Sequence, residues 1–267
     1  MSGGMQWGTA AAFPAVYEEL MVPGFFAAFA DELLDRAAPA EGESLLDIAT
    51  GTGIVLRRAR ERVPGLARLT GLDLTPGMLA VARQRSEGLG IEYVEGDAQE
   101  LPFEAGAFGV LTCQQGLQFF PERERALAAF RRVLRPDGRA VVACWCEIES
   151  APGYLAVAEV VERRLPDKAG AARAPFALSD AATLRSLLEE AGFVGVTVER
   201  VEGTARFASP GEFARSFLEG SPMAVALGDL SADERAELTE EIVEAVRART
   251  GDSGVSPIVT NVAVGRG

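Results

Sequence analysis

Short apolar runs alternate with amphipathic segments along residues 44–146. Each run has the length of a strand and ends in a polar or glycine-containing turn. The runs are SLLDIAT (44–50), ARLTGLD (67–73), IEYVEGD (91–97), FGVLTC (108–113) and RAVVACWC (139–146). Nearly continuous apolar runs are typical of strands that are covered on both faces. The alternation therefore predicts an α/β fold, in which a parallel sheet carries helices on both of its faces.

The rest of the chain has helical patterns and two further strands. Residues 13–38 have a helical pattern, and Pro23-Gly24 predicts a break in that helix. Ser179 is the predicted N-cap of a helix over 181–191. The remaining predicted elements are helices over 151–168 and 210–249 and strands over 193–201 and 256–266.

These patterns predict a single domain over residues 1–267, a length sufficient for one large core. Residues 1–40 form an N-terminal helical segment in this interpretation. We expect residues 150–178 and 205–255 to lie over the carboxyl edge of the sheet as lid-like insertions that form a partial helical lid.

The composition excludes several kinds of chemistry. The chain has no histidine, which excludes an imidazole-based catalytic triad and a zinc site with imidazole ligands. Cys144 and Cys146 lie two residues apart, so both point to one face of a strand as packed thiols, and we expect no metal site. The net charge of −13 repels phosphate backbones and disfavours a nucleic-acid partner.

The opening residues, MSGGMQWGTA, lack the basic region and apolar core of a signal peptide. No apolar run approaches the roughly 20 residues of a membrane-spanning helix. We therefore expect a cytoplasmic protein without membrane insertion, present as a monomer or a homodimer. The preference for arginine over lysine, with abundant alanine and glycine, is typical of a GC-rich bacterial genome.

The most informative motif is LLDIATGTG (45–53), in which a strand runs through a glycine-containing turn into a helix. Gly51 and Gly53 permit tight backbone dihedrals and a close approach of a ligand. Leu56 replaces the third glycine of the dinucleotide fingerprint, so the motif does not predict a pyrophosphate site. A structural tight turn is the alternative interpretation.

Polar residues also follow the next strands. Asp73 ends the second predicted strand, at the position from which a carboxylate accepts hydrogen bonds from ribose hydroxyls. Asp97 ends the third, and Gln114 and Gln115 follow the fourth. The alternatives are a helix cap for Asp73 and an exposed turn for the glutamines. Because all four loops fall on the carboxyl edge of one sheet, a ligand site there is the stronger interpretation.

Residues 45–146 resemble the core of class I S-adenosylmethionine-dependent methyltransferases, and are closest in style to the ubiquinone/menaquinone-biosynthesis-like small-molecule branch. Four motifs carry the resemblance in order: LLDIATGTG, GLDLTPGML, EGDAQELPF and FRRVLRPDGRAVVACW. The closing SPIVTNVAVGR resembles the antiparallel seventh strand of the family. The resemblance implies a Rossmann-like sheet of seven strands, in the order 3-2-1-4-5-7-6, and S-adenosylmethionine as the cofactor.

The resemblance also implies roles for individual residues. It places Asp47, Ala49, Thr50, Gly51 and Gly53 around the methionine part of the cofactor. It places Asp73 on the ribose, Leu74 and Met78 beside the adenine, Asp97 and Ala98 on the adenine edge, Gln114 near the sulfonium, and Tyr17 over the cofactor.

Methyl transfer from a sulfonium is an in-line displacement that depends mainly on positioning. An alcohol acceptor would need a base, and the histidine that many relatives use is absent. We therefore predict an acidic oxygen, with an amine or an activated carbon as alternatives. Gln115 and Gln118 are candidates for orienting the acceptor, and Tyr154 or a lid carboxylate for a base.

Phe119, Phe120, Trp145 and Phe176 are candidates for an apolar acceptor pocket, although aromatic residues at sheet edges also serve as core. Such a pocket suits a small molecule of the secondary-metabolite kind. Two alternatives to methylation are a non-methylating enzyme of the same cofactor (a cyclase, a lyase or an aminocarboxypropyl transferase) and a non-catalytic cofactor-binding module.

Overall fold

The computed structural model describes residues 13–267 and has at its centre a seven-stranded sheet of order β3-β2-β1-β4-β5-β7-β6. Strands β1 to β5 are parallel, and β7 runs antiparallel to both of its neighbours. The predicted strand order is confirmed. The strands are β1 (Ser44–Ile48), β2 (Arg68–Asp73), β3 (Ile91–Glu95), β4 (Phe108–Gln114), β5 (Leu134–Trp145), β6 (Val194–Arg206) and β7 (Val255–Arg266).

Helices surround this sheet. The first, α1, comprises three consecutive helical stretches: Phe13–Val16, the π-helical Tyr17–Phe26, and Ala27–Ala37. The others are α2 (Ile54–Arg62), α3 (Pro76–Arg85), α4 (Arg123–Val133), α5 (Pro152–Arg164), α6 (Ala169–Arg173), α7 (Ala181–Glu190), α8 (Pro210–Gly220), α9 (Met223–Ala226) and α10 (Ala232–Thr250). Among these described helices, none combines the length and the apolar character that crossing a membrane requires.

Successive residues of the central strands enter different cores. Leu45 and Val110 join the apolar layer that contains α2 residues such as Leu56, whereas Leu46 and Leu111 join the layer on the opposite face. This alternation is the period-two geometry of a strand. Because both faces are covered, both sets are apolar, which explains the continuous apolar runs in the sequence.

Strand β5 begins earlier than residue 139, where the sequence pattern had predicted it. Phe108 of β4 pairs with Leu134, and Val110 pairs with Arg139, so Pro136-Asp137-Gly138 form an irregularity inside the paired strand. A Cβ on Gly138 would lie 2.9 Å from the carbonyl oxygen of Gly109. The glycine thus marks a close approach of two strands instead of a loop before the strand.

The predicted break at Pro23-Gly24 is wrong, because the helix continues through both residues with π-helical winding. Proline cannot donate a backbone hydrogen bond, and the wider i→i+5 winding occurs where helices depart from regular bonding. A Cβ on Gly24 would overlap the ring of Phe207, so tertiary packing holds this segment helical.

The N-cap of α7 is Asp180, not the predicted Ser179. The Asp180 carboxylate accepts a hydrogen bond from the backbone N–H of Thr183 at 2.7 Å. The carbonyl of Ser179 instead accepts from the side-chain amide of Asn261, also at 2.7 Å. This hydrogen bond joins the loop before α7 to strand β7, a contact that a local sequence pattern does not contain.

The second half of the chain adds a third, largely aromatic core. Phe25 of α1 contacts Tyr154 of α5, Phe213 of α8 and Phe207, with ring centroids 5.0–5.8 Å apart. These contacts pack the helical segments of the second half against α1 beside the carboxyl ends of the strands. Whether those segments act as a lid stays a prediction.

Candidate active site

A cavity of about 270 Å³ follows the carboxyl edge of the sheet. Its wall includes loops after β3, β2, β1 and β4 and the end of β5, which are consecutive neighbours in the sheet. Four strand spacings separate β3 from β5, a span of roughly 19 Å. The cavity therefore has the length for an elongated ligand at one end and a second molecule at the other.

The turn after β1 has an unusual backbone. Ala49, Gly51 and Gly53 have φ angles of 54°, 55° and 84°, which lie in the left-handed region. A Cβ on Gly53 would overlap the hydroxyl of Tyr93, whereas a Cβ on Gly51 would point toward the hydroxyl of Tyr17 at 3.5 Å. Gly51 thus keeps the backbone open toward the cavity, and Gly53 permits close packing behind it.

Asp47 lies beneath this turn and is 1% exposed. Its carboxylate accepts hydrogen bonds from the hydroxyls of Thr50 at 2.6 Å and Thr112 at 2.7 Å. Burial raises the pKa of Asp47 to about 7; the two hydroxyls oppose this shift, and the charge of Asp73 adds to it. Asp47, Thr50 and Gly53 are not among the residues that line the cavity, so they support the turn from below.

Asp73 joins two of the loops. One carboxylate oxygen accepts from the backbone N–H of Gly51 at 2.8 Å, and the other accepts from that of Thr75 at 2.9 Å. Burial raises the pKa of Asp73, and these backbone donors oppose the shift. Each ionised oxygen has a further lone pair, which suits a vicinal diol such as a ribose. Beside it, Leu74 is 58% exposed and Met78 lines the cavity.

Asp97 and Ala98 line the cavity end at β3. The Asp97 carboxylate accepts from the backbone N–H of Gln99 at 2.8 Å, and the Gln99 amide reaches both of its oxygens. These contacts fix the turn and leave acceptor capacity on the carboxylate.

Gln114 and Gln115 line the middle of the cavity. The Gln114 amide donates to the carbonyl of Phe26 at 2.9 Å, which joins β4 to α1. Gln115 has a left-handed φ of 55°, and its amide donates to the hydroxyl of Thr260 at 2.9 Å. The Gln118 side-chain amide donates to Oε1 of the Gln115 side chain at 3.4 Å, so Gln118 supports Gln115 from behind the wall. A left-handed residue other than glycine is a form of strain that clusters at functional sites.

Tyr17 covers the glycine turn from α1. Its ring stacks on Phe26 with centroids 5.1 Å apart. Burial raises the pKa of Tyr17 above its ordinary value, and the negative charge of Asp73 adds to the effect. Tyr17 therefore stays protonated near neutral pH.

Aromatic residues form the end of the cavity at β4 and β5. Of the four predicted pocket residues, Phe119, Phe120 and Trp145 line this end, together with Tyr154. Phe176 packs behind Tyr154, with ring centroids 5.1 Å apart, and does not line the cavity.

Several lining residues were absent from the sequence predictions. Phe13, Met21 and Phe26 come from α1, and Ser221 and Pro222 come from the connection between α8 and α9. The spacings of four and five residues from Tyr17 to Met21 and from Met21 to Phe26 are a signal for π-helical winding. No local signal distinguishes Ser221 or Pro222, since only the packing of α8 brings them to the edge of the sheet.

Comparison with known families places this site in context. Residues 46–142 match the model of a methyltransferase domain family. These residues include the loops after β1 to β4, which carry Gly51, Asp73, Asp97 and Gln114.

Two curated proteins and one solved structure illustrate the similarity. Demethylmenaquinone methyltransferase of Thermus thermophilus is 43% identical over 111 residues, 41% of this chain and 50% of that protein. The ubiquinone/menaquinone biosynthesis C-methyltransferase UbiE of Paracoccus denitrificans is 39% identical over 131 residues, 48% of this chain and 52% of that protein. The chain thus spans about half the length of these relatives.

The fold comparison covers more of the chain. Phosphoethanolamine N-methyltransferase 2 of Haemonchus contortus, in complex with phosphomonomethylethanolamine and S-adenosylhomocysteine, superposes with a TM-score of 0.63. It is 20% identical, and the match covers 96% of this chain and 57% of that one. At this identity the likeness concerns the fold.

The geometry of the cavity fits S-adenosylmethionine. Asp73 keeps free lone pairs on its carboxylate, Leu74 exposes an apolar surface, and Gly51 leaves room beside the backbone of the turn. Residues 46–142 therefore form a class I methyltransferase domain whose cofactor is S-adenosylmethionine, and they are similar in sequence to methyltransferases of quinone biosynthesis.

Proposed function

We propose that this chain transfers the methyl group of S-adenosylmethionine to a small, apolar acceptor. One observation carries the proposal: a single cavity joins an end with two carboxylates, Asp73 and Asp97, to an aromatic end at β4 and β5. A nucleoside suits the first end and an apolar molecule the second.

The strand order supports a specific orientation. The adenosine binds at β3 and β2, the methionine at the glycine turn of β1, and the sulfonium beside Gln114 of β4. The methyl group then points toward the aromatic end. Holding the acceptor on the methyl–sulfur axis supplies roughly 7–11 kcal/mol of the barrier reduction.

Proton transfer by the chain has a small part in this mechanism. The titratable residues among those that line the described cavity are Tyr17, Asp73, Asp97 and Tyr154. Burial raises the pKa of both tyrosines, which keeps them protonated near neutral pH. Both carboxylates lie at the nucleoside end. The acceptor therefore arrives nucleophilic, as an acidic enol or phenol that has lost its proton to water before the methyl transfer. In this proposal Tyr17 covers the cofactor and Gln115 shapes the wall beside the methyl group.

The methylated atom follows from the same reasoning. We propose an acidic oxygen as the nucleophile. A carbon nucleophile is the second candidate, because the similar UbiE protein is named a C-methyltransferase. An ionised enol or phenol can be methylated on its oxygen or on a ring or chain carbon. The structure of the product, and not the class of acceptor, therefore distinguishes O-methylation from C-methylation.

The test is incubation with S-adenosylmethionine and a hydroquinone such as 1,4-naphthohydroquinone, followed by mass spectrometry. We expect the product to gain one methyl group, and its NMR spectrum assigns the methyl to oxygen or carbon. A changed product without that gain would instead support a cyclase, a lyase or aminocarboxypropyl transfer. Cofactor binding without any reaction across acceptors would support a binding module.

Asp73→Asn tests the cofactor site. The change removes the charge that accepts hydrogen bonds, and we expect S-adenosylhomocysteine affinity to fall by roughly tenfold, as for a hydrogen bond to a charged group. Asp137→Asn, on the exposed irregularity of β5, is the matched control and should leave the affinity unchanged. Equal affinity in both variants would remove Asp73 from the site.

A further inference from the structure

Two hydrogen-bond donors at the aromatic end of the cavity have no partner among the described residues. These are the indole N–H of Trp145 and the hydroxyl of Tyr154. The two side chains are 3% and 4% exposed, and both line the cavity. Neither polar atom is sealed from solvent, so both are open to water or a ligand in the cavity.

The other polar side chains nearby each have a hydrogen-bond partner in the protein. The Gln114 amide donates to Phe26 and the Gln115 amide to Thr260. The hydroxyl of Ser221 donates to the carbonyl of Phe217. Each glutamine amide thus has one of its two N–H donors in use, whereas Trp145 and Tyr154 each offer their single donor to a bound molecule.

Both free groups act as donors. An indole N–H can only donate. Burial raises the pKa of Tyr154, so its hydroxyl keeps its proton. The ring of Phe25 contacts both side chains, with centroids 6.5 Å from Trp145 and 5.7 Å from Tyr154, which holds the two rings in place.

This end of the cavity also lacks charge. The charged residues that line the described cavity are Asp73 and Asp97, which follow β2 and β3. In the sheet, β2 lies three strand spacings from β5, or roughly 14 Å. An ammonium, phosphate or carboxylate at the aromatic end would lose its hydration without gaining a protein counter-ion.

We propose that the acceptor is a neutral carbon skeleton that carries a carbonyl or enol oxygen, and that Trp145 and Tyr154 bind this oxygen. The inference rests on the proposed function and defines the substrate class of the same site. It makes Trp145 and Tyr154 specificity-determining residues, and it disfavours acceptors that arrive as charged ammonium groups.

The probe is a pair of molecules that differ only in one oxygen. 1-Tetralone and tetralin share a bicyclic skeleton, and tetralone has a carbonyl where tetralin has a methylene group. Calorimetry is carried out on protein loaded with S-adenosylhomocysteine, which prevents turnover. We expect tetralone to bind more tightly than tetralin by roughly 2- to 10-fold for each ordinary hydrogen bond that its oxygen accepts.

Tyr154→Phe removes one donor and keeps the ring. We expect the tetralone preference to fall by about half or more, while tetralin affinity is unchanged. Tyr93→Phe is the matched control, because the Tyr93 hydroxyl is hydrogen-bonded to Ser86 at 2.7 Å and does not line the cavity. That variant should retain the preference.

The indole N–H signal of Trp145 gives a readout that needs no change at Trp145. The chain has two tryptophans, so Trp7→Phe assigns the signal in a nitrogen–proton NMR spectrum. Tetralone should move it downfield, and tetralin should not.

Equal affinities for the two probes, or no binding of either up to its solubility, would overturn the inference. A preference that survives Tyr154→Phe together with an unmoved indole signal would do the same. The proposed function fails separately, by loss of S-adenosylhomocysteine binding before any probe is added.

Discussion

The rings of Tyr17 and Phe26 stack with centroids 5.1 Å apart and planes 25° apart, although nine residues separate them. At 3.6 residues per turn, nine residues make two and a half turns and would place the rings on opposite faces of a helix. The π-helical winding of Tyr17–Phe26 brings both rings, together with Met21, to the cavity. The π-helical segment Tyr17–Phe26 therefore covers the glycine turn, and we call this segment the roof of the cavity.

Phe26→Leu should weaken cofactor binding beyond what a loss of protein stability alone would cause. It removes the ring on which Tyr17 stacks, and an aromatic pair contributes about 1 kcal/mol. We expect S-adenosylhomocysteine affinity to fall by roughly fivefold in calorimetry. Phe130→Leu, in the core on the other face of the sheet, should destabilise the protein without lowering affinity. Equal affinity losses would show that the stacking has no specific role.

Glu18 anchors the roof to the glycine turn through Arg57. The two side chains are 9% and 12% exposed, with 2.9 Å between Oε1 of Glu18 and Nη2 of Arg57. Arg57 also donates to the carbonyl of Thr52 in the turn, and Arg85 lies 3.4 Å from Glu18. We expect Glu18→Gln to lower the free energy of unfolding by about 3 kcal/mol, because it leaves the largely buried Arg57 guanidinium without its anionic partner.

The same variant should release S-adenosylhomocysteine faster in stopped-flow measurements, since the roof loses its anchor. Glu19→Gln is the control. Its ion pair with Arg215 spans 3.7 Å between side chains that are 60% and 45% exposed, and such surface pairs contribute about 0–1 kcal/mol. If Glu19→Gln has the larger effect, the anchoring role is wrong.

Asp47 should make stability depend on pH. Its pKa rises from 3.8 to about 7 in the folded protein, so the folded state binds the proton more tightly than the unfolded state. The resulting stabilisation is complete below pH 3.8 and is lost as the pH rises through 7. Asp47→Asn should flatten this part of the pH profile of urea unfolding, which has a slope of up to about 1.4 kcal/mol per pH unit for one proton. Thr50→Ser, which retains the hydroxyl, should keep the wild-type slope.

Two glycines of the same turn should respond differently to alanine. At both positions the left-handed backbone costs about 1–2 kcal/mol. At Gly51 the added methyl has space but points toward Tyr17, so we expect a loss of S-adenosylhomocysteine affinity with modest destabilisation. At Gly53 it overlaps the Tyr93 hydroxyl, so we expect the larger loss in thermal stability. Calorimetry and thermal unfolding of both variants distinguish the two roles, and the reverse ranking would contradict them.

Local sequence signals are sufficient to predict the strands and the loops that line the cavity, and the family resemblance gives the order of the strands. Apolar runs of strand length are local signals, and turns such as the one before Gly53 require particular residues whatever surrounds them. For that reason Asp73, Asp97 and Gln114 could be placed on one edge of the sheet in advance. The sequence pattern places the start of β5 too late in the chain, because Pro136 and Gly138 are local signals for a loop.

The enclosure of the site depends instead on contacts between segments that are distant in the sequence. Asp47 lies beneath the glycine turn because two threonine hydroxyls bind its carboxylate, one of them 65 residues away in sequence. Phe207 keeps the helix continuous at Gly24, and the resulting π winding brings Tyr17 and Phe26 together. At the aromatic end of the cavity, Phe25 contacts both Trp145 and Tyr154. Each of these features depends on packing between segments that are distant in the chain, and such packing overrides local propensity.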